Sequence, residues 1–368
     1  MTALRVFAPS LVSTLAALAA AYLYDGASAL ILCALLGILE VSLSFDNAVM
    51  NATILERMHP FWQRMFLTVG VLIAVFGMRV LFPLLIVWAT AGLAPGAALD
   101  LALHPPAHET AQNPGYATIL TAAHPQIAAL GGVFLLMVFL DYLFDDERPL
   151  WGRFVESRLA RIGRMKHAAV IVALVALLGG AAAVDDDRRA AVLVAGIVGL
   201  LLYLAIQGLT TLFGVTGPST PTADDDAAAT PPGAGSRPVP VAGRAAFFLF
   251  LYLEMLDASF SFDGVIGAFA LTSDPIVIAL GLGFIGAMFV RSITVYLVRT
   301  EALAHYRYLA NGAHWAIGTL AVILLVSLRY EVNEVVTGLV GIAFIGAAMY
   351  SSVRADRADR RNARPAVR

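Results

Sequence analysis

The residues best suited to chemistry lie in two acidic stretches that match one another. Leu39-Glu40-Val41-Ser42-Leu43-Ser44-Phe45-Asp46-Asn47 aligns without gaps on Leu256-Asp257-Ala258-Ser259-Phe260-Ser261-Phe262-Asp263-Gly264. The shared pattern is leucine, an acid, any residue, serine, leucine or phenylalanine, then Ser-Phe-Asp. Glu254 adds one more carboxyl ahead of the second copy. At helical spacing Glu40, Ser44, Asn47 and Asn51 share one face, and Glu254, Asp257 and Ser261 share another. Asp46 and Asp263 point about 120° away from those faces, each beside a serine one turn back, Ser42 or Ser259. A break near the motif would let both polar stripes reach one site, and Gly264 and Gly267 could permit one in the second copy. Every candidate ligand is an oxygen, with no His or Cys in either copy. Such a set suits a hard divalent cation, Mn²⁺, Mg²⁺ or Ca²⁺, rather than zinc or copper. Arg79 follows Gly77-Met78 and Arg291 follows Phe289-Val290 on the helix after each motif. They read as counter-ions or gates for the carboxylates, with a static ion pair between helices as the plainer reading.

These charges sit in a chain built for a bilayer. It is 60% hydrophobic, only 14% charged, and has a mean hydropathy of +0.81. A soluble domain carries roughly twice that share of charge. A charge at the centre of a membrane helix costs about 2.5–3.5 kcal/mol. Glu40, Asp46, Glu254, Asp257 and Asp263 against Arg79 and Arg291 leave three negative charges in excess (five minus two). Unpaired, they would cost on the order of 10 kcal/mol, so protons, water or a bound cation must offset them. The net charge of −2 gives no footing for a nucleic-acid partner. Cys33, the single cysteine, excludes an intramolecular disulfide.

The expected fold is all-α, a polytopic membrane bundle. Taking about 20 apolar residues per crossing, the sequence offers about ten spans: 5–24, 27–56, 64–90, 125–144, 166–184, 190–213, 244–271, 275–298, 311–329 and 332–352. The loops that hold most of the arginines then fall on one side, so both termini are expected in the cytoplasm. The motif helices run in opposite directions on this count, which makes the repeat inverted, an arrangement that places transporter sites near the midplane. The expected organisation is a first membrane helix at 1–26 with the look of a signal anchor, a first repeat half at 27–145, and a basic inner loop with two connecting spans at 146–216. A flexible cytoplasmic linker at 217–243, a second half at 244–330, and a last span with a basic tail at 331–368 complete it. The outer stretch 91–124 holds His104, His108, Glu109 and His124, which read as solvated loop residues. Asp141, near the inner end of the fourth span, reads as an interfacial acidic cap or as part of an inner vestibule.

The stretch from Leu39 to Val49 resembles the signature of the TerC family of bacterial membrane proteins, which carry Leu-Glu-x-x-Leu-Ser-x-Asp-Asn-Ala in a membrane helix. The second copy, Tyr252 to Phe269, looks like a branch of that family, and the resemblance covers roughly 27–90 and 244–300. It implies a bacterial plasma (inner) membrane location, Mn²⁺ efflux or metal supply to exported enzymes, and Glu40, Asp46, Asn47, Asp257 and Asp263 as ion ligands. Gly264 departs from the pattern where the first copy has Asn47, and Glu254 is an addition.

The function expected from these residues is export of a hard divalent cation, not enzyme catalysis. Glu40, Ser44, Asp46, Asn47, Glu254, Asp257, Ser261 and Asp263 would hold the ion, with no resident cofactor and with protons as the coupling species. Two alternatives come from other classes. One is a membrane scaffold for a metal- or tellurium-stress or export complex, docking through the basic loop and tail. The other is an intramembrane aspartyl hydrolase with Asp46 and Asp263 as its dyad.

Overall fold

The computed structural model describes residues 3–104, 106, 108–110, 113–145, 151, 156, 165, 167–212, 241–272, 274–300, 302–330, 332 and 334–362. The linker expected at 217–243 and the basic inner loop lie almost wholly outside the described residues.

The described chain is helical throughout, with two isolated β-bridges and no sheet. Its helices are α1 (Ala3–Leu43), α2 (Phe45–Leu55), α3 (Pro60–Leu72), α4 (Phe82–Ala91), α5 (Pro95–Leu103), α6 (Tyr116–Ala122), α7 (His124–Phe144) and α8 (Ala168–Ala182). There follow α9 (Asp186–Leu212), α10 (Gly243–Leu271), α11 (Pro275–Ile278), α12 (Ala287–Arg299), α13 (Ala302–His305), α14 (Leu309–Val326) and α15 (Glu334–Asn362). A π-helical stretch, Ile73–Leu81, joins α3 to α4, and a second, Ala279–Gly286, joins α11 to α12. The outer stretch read as a loop thus contains two short helices, α5 and α6.

Seven helical segments among the described residues are long and apolar enough to cross a bilayer. They are Ala3–Ser42, Pro60–Trp88, His124–Phe144, Asp186–Leu209, Pro275–Arg299, Leu309–Val326 and Val336–Asp359. The chain is therefore a multi-pass helical membrane protein. All ten segments expected from the sequence overlap helices, but not all of them stand as separate apolar spans among the described residues. The first two are joined in α1. α8 has 15 residues, about 22 Å, short of a hydrocarbon core of about 30 Å. α10 has 29 residues, about 44 Å, long enough to cross, with some of its side chains outside the described residues.

α1 explains how two expected spans become one unit. Its 41 residues would reach about 60 Å if straight, twice the hydrocarbon core. Asp25 (φ −143°, ψ 35°) and Gly26 (φ 66°, ψ −150°) break it, and side-chain contacts show the two arms running in opposite directions. Along the first arm, Phe7 lies against Tyr296, Ser10 donates to the Met288 carbonyl at 2.9 Å, and Tyr24 lies beside Asp274. Along the second, Cys33 and Leu36 press on Gly281, Gly37 lies against Ile285 and Glu40 against Gly286. The pair is a helical hairpin wrapped on the segment from Pro275 to Arg299.

Four segments cross at the centre. The first motif segment meets α10 antiparallel, with Asn47 against Asp257 and Glu40 against Gly264. The segment 60–91 meets 275–299 antiparallel, with Phe66 against Arg291 and Arg79 against Gly283. Around them α7 is almost wholly buried and packs on α9, α10 and α14. Leu15, Leu23, Ile38, Val175, Leu201 and Leu339 are exposed on outer faces, where acyl chains would cover them.

The ψ of −150° at positive φ makes Gly26 the residue the hairpin depends on. Nothing lies within 4 Å of a Cβ built there, so Gly26→Ala should act through backbone strain alone, costing about 1–3 kcal/mol. Thermal unfolding in detergent checks this. Gly179→Ala, at a helical position with equal space, should not lower the midpoint, and equal midpoints for the two variants would contradict the assignment.

Candidate functional site

The first motif does not form a continuous helix. α1 ends at Leu43, Ser44 is non-helical (φ −96°, ψ 18°), and α2 begins at Phe45. Beyond it, Asp46 Oδ1 accepts from the Asn47 backbone N–H at 2.9 Å, satisfying one of the amides that the start of α2 leaves free. The break falls in the first copy. The second copy, where Gly264 and Gly267 would have permitted one, runs unbroken through α10. The break places the Asp46 carboxylate in the first turn of α2, where the helix dipole favours a negative charge.

Glu40 is held from three sides. Its Oε1 accepts from Arg79 Nη2 at 2.6 Å and from Ser44 Oγ at 2.9 Å. Gly264 lies against Oε2, at 3.2 Å from a Cβ built there, and Gly286 has no room for a Cβ because Glu40 Cγ occupies the space. Arg79 donates from Nη1 to the Ala74 carbonyl at 2.9 Å, within its own π-helical stretch. Both ends of the pair are buried, with side-chain exposures of 3% and 4%.

Glu40, Ser44, Asp46, Asn47 and Gly264 line a cavity of about 40 Å³. That is room for an ion or a water. The remaining wall comes from Phe260, from Ala316, Thr319 and Leu320 on α14, and from Thr337, Gly338 and Val340 on α15. Gly341 on α15 comes so close that a Cβ there would stand 2.9 Å from Asp46 Oδ2. One turn before Thr319, Trp315 donates to Glu156 at 2.9 Å and stacks on Phe344. The contributions of α14 and α15 were not anticipated from sequence, because neutral threonines and glycines in apolar helices carry no charge signal.

The second copy forms a neighbouring cluster rather than the other half of that cavity. Asn47 links the two, donating from Nδ2 to Asp257 Oδ1 at 2.9 Å. Arg291 Nη2 lies 3.8 Å from Glu254 Oε1 and 3.9 Å from Asp257 Oδ2, too far for hydrogen bonds. Its closer partners are the Phe66 carbonyl, at 3.0 Å from Nη1, and the Phe66 ring, 3.5 Å from the guanidinium carbon. Among the described residues, both Glu254 oxygens, both Asn51 amide atoms, Asn47 Oδ1, Ser261 Oγ, Arg79 Nε, Arg291 Nη2 and Thr337 Oγ1 are buried with no hydrogen-bond partner. Native interiors pair such atoms with protein or ordered water; these are spread over both motif copies and their arginines, with Asn47 and Thr337 on the wall of the cavity.

Not every expected residue gathers here. Asp263 lies on α10, but its side chain falls outside the described residues. Ser42 is exposed and donates to the Ile38 carbonyl rather than reaching Asp46. Ser259 likewise donates to the Met255 carbonyl. Asp141 is absent from the cavity wall; its Oδ2 accepts from Tyr203 at 2.5 Å and Gln207 at 2.7 Å on α9. Those bonds tie two helices together, so the vestibule reading gives way to an interhelical one. His104 is exposed and pairs with Asp100. Among the described residues, no three His, Cys, Asp or Glu side chains converge as a metal cage would require.

A helical bundle crossing the membrane several times, with buried carboxylate–arginine pairs at its centre, is the class the fold and site define. Residues 45–359 match the family described as "Protein of unknown function (DUF475)", and the chain belongs to that family. The match begins at the break, so Glu40 and Ser44 precede it. No curated protein and no solved structure matches the chain.

The Glu40–Arg79 pair yields a double-mutant test. Removing one partner of a buried pair leaves an uncompensated charge, costing about 3–5 kcal/mol. Arg79→Met should therefore unfold more easily than Arg79→Met combined with Glu40→Gln, by thermal unfolding in detergent. Equal destabilisation of single and double variants would mean that the two side chains are not energetically coupled.

Proposed function

We propose that the protein transports a hard divalent cation, Mn²⁺ being the ion its ligands and its resemblance to TerC proteins favour, through the cavity at the break in the first motif. The observation that carries this reading is the composition of the cavity wall. Two carboxylates, two side-chain hydroxyls of Ser44 and Thr319, the Asn47 amide and the unpartnered Thr337 hydroxyl surround about 40 Å³ of buried space. Hard cations take oxygen ligands and, for Mn²⁺ and Mg²⁺, keep some of their waters. A site with two carboxylates rather than a full cage also suits transport, since an ion must bind well enough to enter and weakly enough to leave.

Charge supports the same reading. Glu40, Asp46, Glu254 and Asp257 are buried with Arg79 and Arg291, a surplus of two negative charges (four minus two) among the described side chains. A divalent cation would neutralise it, and protons would do so when the ion leaves, which is the basis for proton coupling. Arg79 supports a gating role. It lines a second cavity of about 210 Å³, bounded by Leu99, Ala102, Tyr116, Phe269 and Pro275, while its guanidinium holds Glu40 on the cation side. The ion pair thus stands between the two spaces.

The antiparallel crossing of the two motif segments supports an inverted repeat. In this reading the chain crosses the bacterial plasma membrane about ten times with both termini inside, and one half rocks against the other.

Cellular manganese content in a manganese-sensitive host tests the proposal. At matched membrane expression, the wild type should lower cell manganese under Mn²⁺ load, whereas Asp46→Asn should leave it at the empty-vector level. Equal manganese, calcium and magnesium content in cells with wild type and with empty vector would overturn the transport reading.

A further inference from the structure

A groove of about 860 Å³ opens at the membrane face where two spans begin side by side. The chain entering α3 and the chain entering α10 are stitched by a short parallel bridge. The His59 N–H donates to the Val241 carbonyl at 2.9 Å, and the Val241 N–H to the Arg57 carbonyl at 2.8 Å. Just inside the bridge, His59, Phe61, Trp62, Gly243, Arg244 and Phe247 line the groove. Its floor is aromatic. Trp62 lies edge-on to Phe61 at 5.5 Å and packs on Phe247 at 5.9 Å. Phe61 and Phe247 nonetheless remain 57% and 43% exposed.

The rim is basic. Arg244 is exposed and has no ion-pair partner among the described residues, and His59 and Arg64 are exposed on the adjoining turn. The acid nearby, Glu56, already has a partner within the protein, as does Arg57. An apolar trough at the start of two membrane-spanning segments, with a guanidinium that has no ion-pair partner among the described residues, has the chemistry of one class of ligand. Aromatic rings sit at that level in membrane proteins, anionic lipids are drawn to basic clusters there, and arginine binds phosphate through paired charge-assisted hydrogen bonds.

We propose that this groove binds one anionic glycerophospholipid, with the headgroup phosphate at Arg244 and an acyl chain along Phe61, Trp62 and Phe247. Because the groove joins the segment after the first motif to the helix of the second, the bound lipid bridges the two halves. The proposal rests on membrane location and surface chemistry alone. It stands or falls separately from cation transport.

Native mass spectrometry of the full-length protein, released from nanodiscs of phosphatidylglycerol or of phosphatidylcholine, tests it. About one phosphatidylglycerol should stay bound per chain and phosphatidylcholine should not. Arg244→Gln should lower retention roughly tenfold, as for loss of one strong charge-assisted contact, and Arg244→Lys should keep part of it. Arg354→Gln, an exposed arginine on α15 far from the groove in sequence, should retain lipid as the wild type does. Arg244 is exposed, so an unchanged size-exclusion profile is expected for its variants. The proposal is overturned if Arg244→Gln retains as much lipid as wild type, if both lipids bind alike, or if Arg354→Gln loses as much. Displacement of the lipid by soluble glycerol phosphate would also overturn it, since the site would then take a free phosphate.

Discussion

The constraint on which this structure depends is the cost of holding carboxylates away from water. Glu40 is answered by Arg79 at 2.6 Å and Ser44 at 2.9 Å, a geometry that few arrangements of three helical segments could supply. To bring Arg79 there, the segment 60–91 must lie against the first motif, and a π-helical stretch sets the arginine's register. Such stretches are rare and recur at functional sites. To leave room for Glu40, position 286 must be glycine, and at Gly264 a Cβ would stand 3.2 Å from Oε2, so that the carboxylate would have to give by a few tenths of an ångström. The bilayer raises the stake on each choice, because no solvent stands ready to solvate a misplaced charge.

Compared with Glu40, the second copy is loosely answered. Glu254 and Asp257 share an arginine that stands nearly 4 Å from both and spends its hydrogen bond on the Phe66 carbonyl. The two copies therefore differ despite their matched sequences: Glu40 is hydrogen-bonded to its arginine, whereas neither Glu254 nor Asp257 is hydrogen-bonded to Arg291. Asn47 connects them, since it lines the cavity and also holds Asp257. A change of occupancy in the cavity has a direct route to the second cluster through that one amide.

Much of this was legible in the sequence because charge inside an apolar run is conspicuous. The membrane class, the pairing of each motif with an arginine on the following helix, and the burial of Glu40, Asp46, Asn47, Glu254 and Asp257 all follow from cost arguments. What was not legible depended on neutral residues or on a local break. Thr319, Thr337 and Gly338 line the cavity from α14 and α15, and none of the three carries a charge. The break lies at Ser44 in the first copy rather than near Gly264 in the second, although both copies carry the same Ser-Phe-Asp, so neither glycine content nor the motif itself reveals it. Asp141 looked available to cations, but Tyr203 and Gln207, more than 60 positions away in sequence, already claim it. Helical spacing gave the first motif two polar stripes, and the break at Ser44 brings Asp46 to the same cavity as Glu40, Ser44 and Asn47; that the two copies form adjoining clusters required knowing how the helices cross.

Equilibrium binding of Mn²⁺ to the purified protein in nanodiscs, read as loss of the free-ion signal in electron paramagnetic resonance, bears most directly on the central claim. The account predicts saturable depletion of free Mn²⁺ by the wild type and none beyond empty nanodiscs by Asp46→Asn. Undiminished free Mn²⁺ with the wild type, or equal depletion by both proteins, would contradict the assignment of the cavity as a cation site.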